Sequence, residues 1–403
     1  MKESYAESDI LRKVAKAKGQ GLYPFFRPIE ASDAASVTID KRRLINIGSN
    51  NYLGLTHHPR VKEAAIEAIE QYGSGCTGSR FLNGNLDLHD ELEERLARFL
   101  GRESTVVFST GMQANLGALS TLAGPGDCLL LDSENHASLL DAARLAFGRA
   151  YKFRHNDLDD LVRRLEANRE RCERMIIVVD GVFSISGEIA PLPELAALSR
   201  HYHALLYLDD AHGLGVLGPG GRGTPAHFGP GDHVDIHMGT FSKAFAAIGG
   251  MVCGDRDTME YIRHTARSFI FSAAIPPSVA ATVLACLEVM EGDASIHARL
   301  WENVRFMADG LAELGLLQGE PRTPILPIHV GDELKAMRLT RFLMEHGIFA
   351  TPILAPAVAP GEAVIRTSYM ASHERADLER VLEVFKLADR EFGLASEACL
   401  CEA

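Results

Sequence analysis

The sequence predicts an α/β protein: a large domain on a mainly parallel, seven-stranded sheet, followed by a smaller α+β domain toward the C-terminal end. Three observations carry this prediction. From about residue 105, seven short apolar runs alternate with helical segments: STVVFS, CLLLDS, YKFRH, MIIVVDG, ALLYLDD, HVDIHMG and GGMVCGD. Several are rich in Val, Ile and Leu with no polar alternation, as strands covered on both faces are. Beyond residue 277 the order changes to a long helical stretch, then ILPIHV, a helix over 333–347, the strand-like AVIRTSYM and a final helix from 372 to about 392.

Ahead of the sheet, residues 6–19 read as a short amphipathic helix, and GLYPFFRPI, broken by two prolines, reads as extended chain on the surface. PRVKEAAIEAIEQYG (59–73) has a proline near its start, a glycine at its end and apolar residues at helical spacing. LHDELEERLARFLG (88–101) ends the same way, and the glycine-rich GSGCTGSRFLNG between the two is a turn. A helical stretch over about 277–318 contains the domain boundary, near 285–300. The expected organisation is an N-terminal segment (1–50), a large domain (51–290) and a C-terminal domain (291–403), with no repeat and no low-complexity tract.

With 403 residues, 46% hydrophobic and 24% charged, the composition is that of a soluble globular protein too long for one small core. A net charge of -13 and a pI near 5.7 repel polyanions and argue against nucleic acid as a partner. An anionic small molecule would need a local basic patch, for which Arg27, Arg42 and Arg43 are candidates, beside an ordinary surface role. The seven cysteines are scattered, and their only close pair, Cys399 and Cys401, has no His-rich neighbour. This usage fits reduced cytoplasmic thiols rather than a disulfide frame or a zinc site. The start, MKESYAESDILRKVAKAKG, lacks the layout of a secretory signal, and no apolar run approaches the roughly 18 residues of a membrane span.

Ligands in such sheets bind beyond the carboxyl ends of the strands, and the sequence concentrates its polar groups there. STGMQANLG (109–117) opens a helix after VVF, so the N–H groups of Gly111 and Met112 would face an anion, although such turns are also commonplace. His136 in SENHASL follows another strand, a place where a histidine commonly caps or packs. LYLDDAHGLG (206–215) ends a strand on Asp209, Asp210 and His212. A buried Asp209 is costly without a cation beside it, while a cap at a helix start is its plainer role. GTFSKAF supplies Thr240, Ser242 and Lys243 at the next strand end, where a lysine in solvent is again the plainer role. Read together, these residues form a phosphate cradle, a neighbour for an aromatic ring, a carboxylate and an amine. That set suits pyridoxal 5'-phosphate (PLP), whose aldehyde needs a lysine, whose pyridine nitrogen needs an acid partner and whose phosphate needs N–H and hydroxyl donors.

At these residues the chain resembles the α-oxoamine synthases, PLP enzymes of the fold-type I, aminotransferase-like class that condense an amino acid with an acyl-CoA and lose carbon dioxide. The resemblance spans roughly residues 20 to 390. TGSRFLNGNLDLHDELE (77–93), GTFSKAF and KGQGLYPFFRPI look most like the bacterial members that use serine and a long-chain acyl-CoA. Relatives using glycine, alanine or a shorter acyl chain usually carry Leu-Gly or Leu-Ala where this chain has Phe241 and Ser242.

The resemblance implies a catalytic set of Lys243, His136, Asp209 and His212: Lys243 on the cofactor aldehyde, Asp209 at the pyridine nitrogen, His212 near the ring hydroxyl and His136 against the ring face. It implies that Gly111, Met112, Thr240 and Ser242 hold the phosphate with Ser184 nearby, and that Ser272 and Ala273 serve the other subunit of a homodimer with shared active sites. It places Arg366 on the amino acid carboxylate, for which a guanidinium fork is well shaped, with His136 and either Asn50 or Asn51 also near the substrate. No metal is implied.

Two departures stand out. LDDAHG replaces the usual Asp-Glu-Ala-His-Ser, and PILAPAVAPG (352–361) lacks an arginine that some bacterial relatives carry there. The implied activity is a C-acyltransfer joining L-serine to a long-chain acyl-CoA such as palmitoyl-CoA. It yields 3-ketodihydrosphingosine, CoA and carbon dioxide and opens sphingolipid synthesis. The alternative is a relative that uses glycine or alanine and forms 2-amino-3-ketobutyrate or 8-amino-7-oxononanoate. A catalytically silent subunit is disfavoured, because such subunits usually lose the lysine that Lys243 supplies. The expected setting is the cytoplasm, with peripheral contact at the inner membrane.

Overall fold

The computed structural model describes residues 8–231, 233–317 and 319–395. The chain divides into two compact units, Asn50–Leu300 and a second formed jointly by Met1–Ser49 and Trp301–Ala403, with the division inside a helix.

The chain enters through α1 (Asp9–Gly19), whose N-cap Ser8 accepts a hydrogen bond from the Leu11 N–H. Three short antiparallel strands follow, β1 (Ala31–Ser32), β2 (Ser36–Ile39) and β3 (Arg42–Asn46). The β2–β3 turn holds Asp40 and Lys41 at φ 51° and 61°, the left-handed pair that matches the twist of a two-residue hairpin. No strand is expected here from the sequence, because runs this short with two arginines in one of them carry little apolar signal.

In the larger unit, α2 (Pro59–Tyr72) and α3 (Asp87–Leu100) end on Gly73 and Gly101, both at positive φ. The seven apolar runs are the seven strands of one sheet. They are β4 (Ser104–Phe108), β5 (Cys128–Asp132), β6 (Arg149–Phe153), β7 (Met175–Asp180), β8 (Leu205–Asp209), β9 (Ile236–Thr240) and β10 (Gly250–Gly254). Their spatial order is β4-β10-β9-β8-β7-β5-β6, and only β10 runs antiparallel to its neighbours. Between them lie α4 (Gly111–Leu122), α5 (Ala137–Leu145), α6 (Leu158–Asn168), α7 (Leu192–Tyr202) and the one-turn α8 (Thr224–His227). After β10 come α9 (Arg256–Thr265) and α10 (Arg267–Ile270).

Alternate residues of each strand feed opposite faces: Leu129, Leu131, Ile176 and Val178 join one core with α4 and α5, while Leu130, Ile177, Val179 and Leu206 join another with α6 and α7. Each such side chain contributes about 1.5–3 kcal/mol on burial, so both faces must be covered, as the unbroken apolar runs require. The shared direction brings Asp132, Asp180, Asp209 and Thr240 to one edge, with Asp180 opposite Asp209 in register. Gly250 pairs with Phe108 on one side and Thr240 on the other, which sets the start of α4 beside Thr240.

The expected helix over 277–318 is two helices, α11 (Pro277–Gly292) and α12 (Ala294–Glu313). Asp293 interrupts it at φ -133°, and its carboxylate accepts from the Ser295 N–H at 2.9 Å to begin the next one. The chain continues through β11 (Ile325–Gly331), α13 (Glu333–Glu345), β12 (Ile348–Phe349), β13 (Pro352–Ile353), β14 (Ala363–Ser368) and α14 (Arg375–Phe392). β12 pairs in parallel with β3, so the N-terminal hairpin completes a four-stranded sheet with the C-terminal stretch. Arg42 donates to the Glu345 carbonyl and Arg43 pairs with Asp33 and Asp377, which gives two of the candidate anion-binding arginines roles inside this unit.

Five cysteines, Cys76, Cys128, Cys172, Cys253 and Cys286, are free thiols, and Cys399 and Cys401 lie outside the described residues. Among the described residues no helix is long and apolar enough to cross a membrane.

Candidate active site

A cavity of about 300 Å³ opens at the carboxyl edge of the sheet in the larger unit. Nine of the residues singled out in the sequence line it: Gly111, Met112, His136, Ser184, Asp209, His212, Thr240, Ser242 and Lys243. Each lies at or shortly after the end of a strand, so the parallel topology gathers side chains that are far apart in sequence.

Asp209 is 4% exposed and does not cap a helix. Its Oδ1 accepts from the Ala211 N–H at 3.0 Å, and its Oδ2 accepts from Asn115 Nδ2 at 2.7 Å. Asn115 is itself fixed, because Tyr207 donates its hydroxyl to Asn115 Oδ1 at 2.8 Å while Nδ2 also donates to Ser138 Oγ. Burial and then the Asp209 charge raise the Tyr207 pKa well above its ordinary value, so it stays a donor. His136 both caps α5 and lines the cavity: its Nδ1 is 2.7 Å from Ser138 Oγ, and its backbone N–H donates to Asp180 Oδ2 at 2.9 Å. Burial first, and the neighbouring Asp209 second, push the Asp180 carboxyl well above its ordinary range, against the opposing pull of the His136 N–H and Lys243. The cavity therefore holds the Asp209 carboxylate beside a second acid biased toward its neutral form.

The anion end is built by close approach. A Cβ on Gly111 would lie 2.7 Å from Thr240 Oγ1, and one on Gly250 would lie 2.6 Å from the Gly111 Cα. Glycine at both positions lets the first turn of α4, capped by Thr110, sit against the hydroxyls of Thr240 and Ser242, which are 3.1 Å apart. Helix N–H groups, two hydroxyls, a buried carboxylate and an amine around one space fit a phosphorylated pyridine aldehyde.

Asn115, Ser138, Asp180 and Tyr52 are site-shaping residues that the sequence reading did not single out. Asn115 and Asp180 carried a usable signal: Asn115 stands one helical turn after Gly111 in STGMQANLG, and Asp180 ends an apolar strand as Asp209 does. Tyr52, fully buried with its hydroxyl 2.7 Å from His212 Nδ1, carried none.

LDDAHG acquires a physical reason. Asp210 is fully buried and points away from Asp209, accepting from the Thr224 N–H, the Thr224 hydroxyl and His237 Nε2. A Cβ at Gly213 would stand 2.0 Å from Asp210 Oδ1, so this aspartate, placed as it is, requires glycine at 213.

The remaining residues lie outside the cavity lining. Ser272 Oγ accepts from Gln113 Nε2 at 2.9 Å, and the Ala273 carbonyl accepts from Ser109 Oγ. The next residues dock on the loop before α3 and on its first turn, with the Ala274 N–H donating to the Gly78 carbonyl and His89 Nε2 2.9 Å from the Ile275 carbonyl. Asn51 Nδ2 donates to Thr56 Oγ1 at 2.9 Å. Arg366 belongs to the other unit, buried on β14, with Nη1 3.4 Å from Ser368 Oγ.

Residues 42–385 match the family described as aminotransferase class I and II. The chain is 55% identical to the serine palmitoyltransferase of Bacteriovorax stolpii over 98% of this chain and 94% of that one. It is 43% identical to the 8-amino-7-oxononanoate synthase of Symbiobacterium thermophilum, over 96% and 98%. Among solved structures, a serine palmitoyltransferase variant from S. paucimobilis with a bound PLP–myriocin aldimine superposes with a TM-score of 0.93 at 33% identity, covering 97% of this chain and all of that one. On the sequence match and the shared architecture together, the chain belongs to the aminotransferase class I and II family.

Proposed function

We propose that the chain is a PLP-dependent C-acyltransferase that condenses L-serine with a long-chain acyl-CoA, palmitoyl-CoA in type, to 3-ketodihydrosphingosine, CoA and carbon dioxide. The observation that carries the reading is that Lys243 and Asp209 line one cavity together with His136 and His212. The names of the close relatives favour serine as the amino acid.

In this reading Lys243 would hold the cofactor through its aldehyde, Asp209 would pair with its pyridine nitrogen, His212 would face its ring oxygen and His136 its ring face. The N–H groups of Gly111 and Met112 hold the phosphate with Thr240 and Ser242, and Ser184 completes the wall. Bound there, PLP supplies an electron sink for negative charge at the amino acid Cα. Lys243 Nζ, free once the amino acid's own amine has taken its place, would remove the Cα proton and later return one. Asp209, with both oxygens tethered, keeps its charge aimed at one place, and the raised pKa of Asp180 spares the cavity a second negative charge. Arg366 and Asn51 hold the serine, the guanidinium gripping the carboxylate until it leaves. A Cα–carbon bond forms at the thioester carbonyl as the C–S bond breaks and CoA departs. The Cα–carboxylate bond then breaks, releasing carbon dioxide, and a proton replaces it.

The same reading makes the protein a homodimer in which Ser272 and Ala273 reach the partner's cofactor. It works in the cytoplasm with peripheral contact at the inner membrane, and it opens sphingolipid synthesis. Purified protein assayed with serine, glycine and alanine against palmitoyl-CoA and short acyl-CoA donors tests this. Serine with the long chain should dominate, with 3-ketodihydrosphingosine identified by mass. Preference for alanine or glycine would transfer the assignment to the synthases that form 8-amino-7-oxononanoate or 2-amino-3-ketobutyrate.

A further inference from the structure

We propose that Tyr52 is a positioning residue that fixes the tautomer of His212, so that Nε2 carries the ring proton and offers a donor to the cofactor's ring oxygen. The donor's target rests on the PLP reading of the cavity, whereas the tautomer itself rests only on the pair.

Tyr52 is fully buried, whereas His212 lines the cavity, so the tyrosine acts through the histidine. The phenol oxygen lies 2.7 Å from His212 Nδ1, with the rings meeting edge-on at 65°. Its contact with Asn50 Oδ1 is 3.4 Å, long beside the roughly 2.7–2.8 Å usual for a hydroxyl donor to oxygen. The phenol has one proton to give, and of these two contacts the 2.7 Å one has the length of a hydroxyl hydrogen bond. A phenol is also the stronger acid of the two, with an ordinary pKa near 10, and a bare imidazole nitrogen is the better acceptor. Nδ1 is therefore the acceptor, and a neutral ring must then hold its proton on Nε2.

His212 sits between Ala211, whose N–H is tied to Asp209, and Gly213, which is closed in by Asp210. The backbone is thus set by the loop, and Tyr52 makes the 2.7 Å contact with the ring's Nδ1. A donor at Nε2 stabilises the ionised form of an oxygen facing it, which lowers the affinity for protons of the group conjugated with that oxygen.

The test uses protein with ¹⁵N-labelled histidine, wild type and Tyr52→Phe, with a His212→Gln sample to assign the signals. In wild-type apoenzyme near about pH 8, where free histidine is neutral, His212 Nδ1 should resonate as an unprotonated acceptor and Nε2 as protonated. In Tyr52→Phe the Nδ1 signal should lose its hydrogen-bond shift and the two tautomers should mix. After PLP is added, Tyr52→Phe should bind it, but the pH midpoint of the visible band should rise by about one unit, the size expected for losing one such hydrogen bond. A wild-type spectrum with the proton on Nδ1 overturns the inference, as does a Tyr52→Phe protein whose His212 signals and midpoint are unmoved. Should Tyr52→Phe fail to fold, the wild-type spectrum alone still decides which nitrogen is protonated. If the apoenzyme signals are as expected but no PLP binds, the tautomer assignment stands while the donor role and the cofactor reading both fall.

Discussion

Replacing Gly213 by alanine puts a methyl carbon 2.0 Å from Asp210 Oδ1 and 2.4 Å from Thr224 Oγ1. Carbon contacts are favourable only near about 3.5–4.0 Å, so the carboxylate must withdraw by roughly an ångström or more. Withdrawal breaks its bond with the Thr224 hydroxyl and weakens those from the Thr224 N–H and His237 Nε2, each 2.9 Å in the native protein. Hydrogen bonds to a charged group contribute about 1.5–3 kcal/mol each, and at least one is lost with two others strained, so the expected cost is about 3 kcal/mol. For a unit of this size that lowers the thermal midpoint by about 6–12 °C, read by circular dichroism or calorimetry. Asp209 and His212 flank the site of the clash, so cofactor retention, read from the visible spectrum, should weaken in parallel. The double variant Asp210→Ala with Gly213→Ala should cost less than the sum of the two single changes, since removing the carboxylate makes room for the methyl. A Gly213→Ala protein melting within about 2 °C of wild type would refute the coupling.

Three further outcomes are expected. Lys243→Ala should lose turnover, and borohydride should no longer fix cofactor to the protein; a cofactor adduct found by mass spectrometry in the variant would remove Lys243 from its role. Arg366→Ala should raise the KM for the amino acid by about 30- to 150-fold, the equivalent of about 2–3 kcal/mol for a charge-assisted fork, and unchanged amino acid affinity would count against its assignment. His373 is pushed down from 6.5 to about 4 by burial; its Nδ1 accepts from the Met370 N–H while Nε2 faces the Asn46 carbonyl at 3.1 Å, a neutral ring. Unfolded protein takes up this proton near pH 6.5 and folded protein only near 4, so stability is full above that window and falls through it by up to about 3 kcal/mol as the pH drops. Urea unfolding between pH 7 and 4 checks this, since His373→Gln should flatten that part of the slope.

Much of this protein was legible in local chemistry alone. Most of the seven strands are apolar runs long enough to declare themselves, the edge strand β6 being the more polar exception, and the parallel strands send their ends to the same edge. The residues just past each run were therefore enough to find Gly111, His136, Asp209, His212, Thr240 and Lys243. Which atoms hold those groups in place was settled by the folded chain and by nothing short of it. Asn115 reaches Asp209, Tyr52 reaches His212 and Gln113 reaches Ser272 across long stretches of chain, and β3 pairs with β12, which lies on the other side of the larger unit in sequence. Such partners leave no periodic trace, because a hydrogen bond depends on where two side chains end in space and not on the residues beside either of them. The aspartate and glycine of LDDAHG look like two independent departures in the sequence, and a packed interior with no room for one more carbon makes them one.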